Sequence, residues 1–345
     1  MAVRSEQFAP SQPRTEGQLV LMERKARSYW STALATLRRD RLTVLALVFV
    51  VLISLASYGA NLITATLGVD ATTTNPANAY QRPYVWPYIQ WRLGLDATAA
   101  PLMLGKSGGV VHWLGTDQLG RDLLARLLYG GRVSLSIGLV AAATSMVFGV
   151  LVGAVAGYFG SRVDDTIMWV INTMTTIPLI YILIIVNNAI FRPSPTVLTL
   201  FFGLLGWFEI ARFMRGQVFK VRSLDYTLAA RAVGVSNWRI LMSHIIPNCI
   251  PLIIVLTAIN VGALILSESI LSSLGLGVQP PTASWGNMLD RAQGFLSLRE
   301  PGTHRLMALH LILLPGILTT LTVLAFALIG DGMRDALDPT LKSRK

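Results

Sequence analysis

The sequence predicts an all-α integral membrane protein with six transmembrane helices, and three observations predict it. The chain of 345 residues is 53% hydrophobic and only 14% charged, whereas soluble domains carry about a quarter charged residues. Its apolar residues are clustered. Uncharged runs cover 42–69, 133–161, 166–191, 240–267 and 306–330, each long enough to cross a hydrocarbon core of about 30 Å as a helix of about 20 residues. The basic residues are also one-sided. With the N-terminus inside, 19 of the 29 Lys and Arg fall in 1–42, 158–166, 212–248 and 331–345, as the positive-inside rule asks of cytoplasmic segments. Topology thus accounts for the formal charge of +11 without the solvent-facing basic patch of a nucleic-acid binder.

Residues 1–42 read as a cytoplasmic tail. Positions 1–18, rich in Ser, Pro, Gln and Glu, are expected to lack fixed structure. In 19–41, Trp30, Ala33, Leu34 and Leu37 share one helical face amid Arg24, Lys25, Arg27, Arg38, Arg39 and Arg41. That pattern predicts an amphipathic helix at the headgroups, or a basic flank that only sets orientation. Residues 1–20 lack the apolar core of a secretory signal, so the first span, 43–67, is expected to be an uncleaved anchor. An extracytoplasmic loop follows over 68–132, with Trp86, Trp91 and Trp113 expected at the interface or inside a small external subdomain.

The remaining spans fall within 133–331, at 133–157, 167–189, 196–214, 249–272 and 306–330, before a cytoplasmic tail over 332–345. Pro178 and Pro315 lie inside the third and sixth, where neighbouring helices re-satisfy the freed carbonyls. The uncharged stretch 269–289 holds Gly275, Gly277, Gln279, Pro280, Pro281 and Asn287 and reads as an ordered loop. Gly149, Gly153 and Gly157 recur at four-residue spacing, which lets two helix backbones approach closely.

Three groups of residues draw attention as sites. Gly115 to Asp122 open a helix that Thr116 or Asp117 caps and that Gly130-Gly131 is expected to break before the second span. Asp117, Arg121 and Asp122 read as cap and ion-pair residues holding an elbow at the outer face, or alternatively as a gate that receives a docked protein. Glu268, within an apolar run, has a structural hydrogen bond to the following loop or a place on a solute path. Glu209 is the other pathway candidate, and its spacing from Arg212 allows an i,i+3 pair. The third group is the polar break Leu224–Asn248. Asp225–Val233 forms one helix with a flat face at Ala229 and Ala230. Gly234 permits a turn, Ser236 or Asn237 caps a second helix, and Ile245, Ile246 and Pro247 lead into the fifth span.

This last segment resembles the EAA loop of ABC-importer permeases. The string GTDQLGRDLLARLLYGGRVSLSIG at 115–138, and Leu274–Pro281 with Ser284-Trp285-Gly286, resemble the oligopeptide/dipeptide/nickel importer family, specifically its C-type subunit. The resemblance implies a type I importer permease core over 133–331, with a cytoplasmic coupling helix between spans 4 and 5. Leu228, Ala229, Ala230, Arg231, Gly234, Ile245 and Pro247 are the positions it assigns to ATPase coupling. The glutamate that precedes the two alanines in the family is Leu228 here, which puts the acidic docking contact in doubt.

The implied partners are a paralogous permease subunit, two ABC ATPase subunits, an extracytoplasmic solute-binding protein and the lipid bilayer, with no nucleic acid. ATP and Mg would sit on the ATPases, in a bacterial or archaeal cell membrane. The implied solutes are dipeptides and oligopeptides, with nickel chelates or oligosaccharides as alternatives.

Other classes fit less well. Gly105-Lys106-Ser107 has Ala100 where a phosphate loop needs glycine. The four histidines share no metal-site spacing, the single cysteine, Cys249, reads as a small buried hydrophobe, and no catalytic group stands out. An ion-coupled secondary transporter would need a carboxylate relay, and Glu209 and Glu268 lie toward opposite ends of separate spans. A membrane-bound enzyme lacks any reactive cluster.

Overall fold

A computed structural model describes residues 29–81, 83, 111–186, 194–293 and 309–337. Among these residues every regular element is a helix. α1 (Tyr29–Leu37), α2 (Arg41–Tyr58) and α3 (Ala60–Leu67) precede the longest element, α4 (Leu123–Phe159). Then come α5 (Ser161–Thr175), α6 (Leu179–Ile185), α7 (Pro195–Leu205) and α8 (Trp207–Val221). Two short helices, α9 (Asp225–Ala232) and α10 (Asn237–Ile240), lead through a π turn at Leu241–Ile245 into α11 (Ile246–Ser273). α12 (Trp285–Gln293) and α13 (Leu309–Leu337) complete the chain. Five stretches are long and apolar enough to cross a membrane, or six if α5 and α6, bent by 72°, form one span.

The bundle turns apolar side chains outward: Leu45, Leu55 and Leu62 are 65%, 67% and 72% exposed. Lipid is as apolar as leucine, so helix association rests on close packing rather than on water exclusion. α4 organises that packing. It contacts α2, α7, α8 and α11, while α11 packs on α13. Two interior clusters lie along it. One holds Leu123, Leu135, Phe202, Ile265 and Trp285. The other holds Met146, Ala154, Met214, Ile240 and Ile245.

The thirty-seven residues of α4 span about 55 Å, well beyond the hydrocarbon core, so the bundle has two distinct ends. At the elbow end stand the start of α4, the end of α2 (Tyr58 Oη to Ser136 Oγ, 2.9 Å) and the start of α13 (His310 Nε2 to the Thr116 carbonyl, 3.4 Å). At the other end stand α9, α10, the last turn of α4, the end of α13 and α1, whose Ala33 packs with Ala336 and Leu337. Both ends of the described chain therefore lie on the side of the α9–α10 pair.

Several sequence expectations are corrected. Gly130-Gly131 does not break the second span, which runs unbroken from Leu123 with Asp122, not Thr116 or Asp117, as its cap (Oδ1 accepts from the Ala125 amide, 2.8 Å). The two glycines are close-packing positions: a Cβ on Gly131 would stand 2.4 Å from Ser57 Oγ and 2.7 Å from the Trp285 ring. The third span turns at Thr176–Pro178, because proline supplies no amide to continue the helix. The fourth divides at Gly206 and extends to Val221 rather than ending at 214. A short helix, α12, forms within the expected loop 273–304. α1 packs on α13 through Ala33 and Leu37. Residues 1–28, Trp86, Trp91, Gly105–Ser107, His304 and 338–345 lie outside the described residues, as does the Trp30 side chain.

Candidate subunit-docking site

The α9–α10 pair is built locally from short-range bonds. Thr227, fully buried, donates to the Val221 carbonyl (3.0 Å) and folds α9 back on the end of α8. α9 closes when the Val233 and Val235 amides reach the Ala229 and Ala230 carbonyls (both 3.1 Å). Gly234, at φ +82°, makes the turn, a conformation that costs other residues a Cβ clash. Ser236 stands at the start of α10 without a side-chain cap bond.

The pair presents an apolar surface. Leu224, Tyr226, Leu228, Val233, Trp238 and Met242 are all exposed, Val233 at 79%. Ala229 and Ala230 do not share this face as expected. Ala229 is exposed, whereas Ala230 is half-buried against the cluster of Ile240, Leu241 and Ile245. Arg231 is exposed, Ile245 is fully buried, and Pro247 sits in the first turn of α11, where no amide partner is needed.

Tyr158, in the last turn of α4, joins this surface to the bundle. Its hydroxyl donates to Asn237 Oδ1 (2.8 Å) on α10, and its ring lies 5.5 Å from the Arg231 guanidinium on α9. Arg222, stacked 4.4 Å from the Phe219 ring, donates to the Gly157 and Tyr158 carbonyls (2.9 and 3.3 Å). These are carbonyls that a helix end leaves unpaired. The glycine stripe lies just before: a Cβ on Gly149 would stand 2.6 Å from Ile210 Cβ, on Gly153 2.4 Å from the Ala211 carbonyl, and on Gly157 2.7 Å from the Arg215 carbonyl. α8 is the helix the stripe admits.

The elbow cluster is closed on itself. Asp117 accepts from the Leu119 and Arg121 amides (2.9 and 3.0 Å), and its Oδ2 pairs with the Arg121 guanidinium (2.7 Å) and with Arg126 (3.4 Å). Asp122 accepts from His112 Nδ1 (2.8 Å). Asp117, Arg121, Asp122 and Arg126 are at most 5% exposed. The hydroxyl of neighbouring Tyr80 titrates above its ordinary range, through burial first and the Asp117 charge second.

Glu268 is fully buried, accepting from Ser134 Oγ on α4 (2.7 Å) and from Ser272 Oγ (2.8 Å). Those serines in turn accept the Trp285 and Val278 amides (3.3 and 2.9 Å), so the carboxylate ties α4 and α11 to the loop between α11 and α12. Glu209 is exposed on α8. Its expected pairing with Arg212 does not form. Arg212 donates instead to Asn172 Oδ1 (3.3 Å) and Thr175 Oγ1 (2.7 Å) on α5, which supply closer acceptors. Among the described residues no three His, Cys, Asp or Glu side chains group as a metal would require.

The family described as the binding-protein-dependent transport system inner membrane component matches residues 149–343, more than half of the chain and the whole of the α9–α10 pair. The chain belongs to this family. Three relatives give the scale of similarity. The dipeptide transport system permease protein DppC of Alkalihalophilus pseudofirmus is 32% identical over 334 residues, 97% of this chain and 96% of its own. The oligopeptide transport system permease protein OppC of Bacillus subtilis is 31% identical over 321 residues, 93% of each chain. The glutathione transport system permease protein GsiD of Pectobacterium atrosepticum is 36% identical over 240 residues, 70% of this chain and 76% of its own.

Within this inner membrane component, sequence reasoning missed Tyr158 and Arg222, and it read Asn237 only as a possible cap rather than as the acceptor for Tyr158. Their only local signal is the polar or aromatic character of Tyr158 at the end of a spanning run, since its hydrogen-bond partners lie 64 and 79 positions away.

Proposed function

We propose that the chain is a permease subunit of an ATP-driven importer for dipeptides and oligopeptides. It would pair with a paralogous permease, dock two ABC ATPases that hold ATP and Mg, and receive solute from an extracytoplasmic binding protein. The chain itself carries out no chemistry and contributes half of the path. The observation that carries the reading is the α9–α10 pair: an exposed apolar knob at one end of a membrane bundle, tied to its longest helix through Tyr158. Relatives that align over nearly the full length and carry peptide permease names support the solute class.

The same end carries α1 and the end of α13, and the basic residues are concentrated in the same segments. We therefore place it, with both termini, in the cytoplasm, where ATP is. Docking would take place through Leu224, Leu228, Ala229 and Val233. With Leu228 in place of an acid, the partner's groove is matched by apolar contact rather than by a charge pair. The elbow, with Asp117, Arg121 and Asp122 turned inward, serves as a rigid support for α4 rather than as a receptor.

Ala229→Trp tests this. Ala229 is exposed, so the substitution leaves the bundle intact and blocks the knob. The purified complex should lose its ATPase subunits, and ATP-driven dipeptide uptake in proteoliposomes should fall at least about tenfold, the scale on which interface anchors act. Full uptake with retained ATPases in this variant would refute the docking assignment.

A further inference from the structure

We infer that the exposed stripe of α8, Glu209, Phe213, Gly216 and Lys220, lines the translocation path, and that Glu209 receives a cationic group of the solute there, the α-ammonium of a peptide. This deepens the importer reading and rests on it.

The stripe follows from the helix period. Positions 209, 213, 216 and 220 recur at the spacing that keeps one face of a helix in register, and all four are exposed. The opposite face, Ile210, Ala211, Met214 and Val218, is buried against α4. α8 thus shows a two-sided pattern that a lipid-facing span does not need. α2, by contrast, carries no charged residue after Arg41.

Depth makes the carboxylate informative. A Cβ on Gly149 would stand 3.0 Å from the Trp207 carbonyl, so the start of α8 lies level with Gly149. That residue is ten positions before the end of α4, or about 15 Å along the helix. Glu209, two residues after Trp207, also lies near the middle of Pro195–Val221, a stretch long and apolar enough to cross a membrane. No ion pair among the described residues includes it, and Arg212, one turn away, is held by Asn172 and Thr175. An ionisable side chain at membrane depth is costly against lipid and is found facing a bundle interior or a water-filled path. The outer surface of this chain at α8 is then the wall of a path.

The neighbours of Glu209 specify the ligand. Phe213, one turn on along the same exposed face and 41% exposed, offers a ring at i,i+4 from the carboxylate, and an ammonium is attracted both by a charge and by a ring face. Gly216 follows, and a Cβ placed there would meet nothing within 4 Å. A larger side chain there would therefore project from the same exposed face as Glu209 and Phe213 without disturbing the packing of this chain.

The experiment uses the assembled importer in proteoliposomes with its binding protein. Cys249 is the chain's single cysteine and is 3% exposed, so new cysteines report cleanly. Glu209→Cys and Gly216→Cys should react with a membrane-impermeant charged thiol reagent and be protected by a saturating dipeptide, while Leu52→Cys on the outside of α2 should not react. Glu209→Gln should raise the dipeptide concentration for half-maximal uptake about tenfold, the worth of one charge-assisted hydrogen bond. Gly216→Leu should leave assembly of the complex intact and abolish most uptake. If Glu209→Cys is unreactive in every nucleotide state, or reacts only after the complex is dissociated, the inference is overturned. Normal uptake by Gly216→Leu overturns it too. Failure of the importer reading itself would look different: the unaltered chain would show no ATP-driven uptake at all.

Discussion

Glu268 shows what a single side chain does in this bundle. No ion pair among the described residues includes this acid, and two serine hydroxyls hold it instead. Removing the acceptor leaves buried donors unsatisfied, which costs about 1–3 kcal/mol each. Glu268→Leu should therefore lower the thermal midpoint of the purified protein by several degrees. Glu268→Gln keeps one acceptor oxygen and should lower it less. Equal midpoints for the two variants would mean that the serines are satisfied elsewhere. That Glu268 is unusual was legible from its place in an apolar run. Its partner Ser134, 134 positions away, was not, because nothing local to either residue encodes the pairing.

At the scale of elements, the glycine stripe and the Tyr158 joint decide how helices meet. Gly153 sits so close to Ala211 that even a methyl group would overlap its carbonyl. Gly153→Leu forces the α4–α8 interface apart at about 1–3 kcal/mol or more, and should reduce the yield of folded protein in detergent, read by size-exclusion chromatography. The same substitution at exposed Gly216 should leave yield unchanged. The spacing of Gly149, Gly153 and Gly157 announced a close helix contact. That α8 fills it, rather than a second subunit, follows only from the tertiary arrangement. Gly130-Gly131 marks the opposite case. Its composition suggested a break, yet tight packing against Ser57 and Trp285 keeps it helical.

At the scale of the whole molecule, α4 is a rod that starts after its Asp122 cap in the elbow and ends, with Tyr158 in its last turn, under the α9–α10 pair. Under the proposed function, a push on α9 and α10 reaches the far end of the bundle through that rod. Tyr158→Phe removes only the bond to Asn237. It should lower dipeptide uptake per ATP hydrolysed by about fivefold, for a hydrogen bond of about 1 kcal/mol, while the ATPases remain bound. An unchanged ratio would mean that docking motion travels by another route.

The sequence by itself determined the class of this protein. Long uncharged runs, a one-sided distribution of Lys and Arg and a polar helical break are properties of contiguous segments, and hydropathy acts on contiguous segments. The motifs at 115–138 and 224–248 were legible for the same reason. The tertiary structure alone decided that Ala229 faces out and Ala230 in, and that Asp117 and Asp122 are closed inside the elbow. It also decided that Arg212 abandons Glu209 for Asn172 and Thr175, and that the third span bends. Each of these depends on which acceptor or surface another helix brings within reach. In lipid, where burial offers little preference of its own, those contacts between distant residues choose the arrangement.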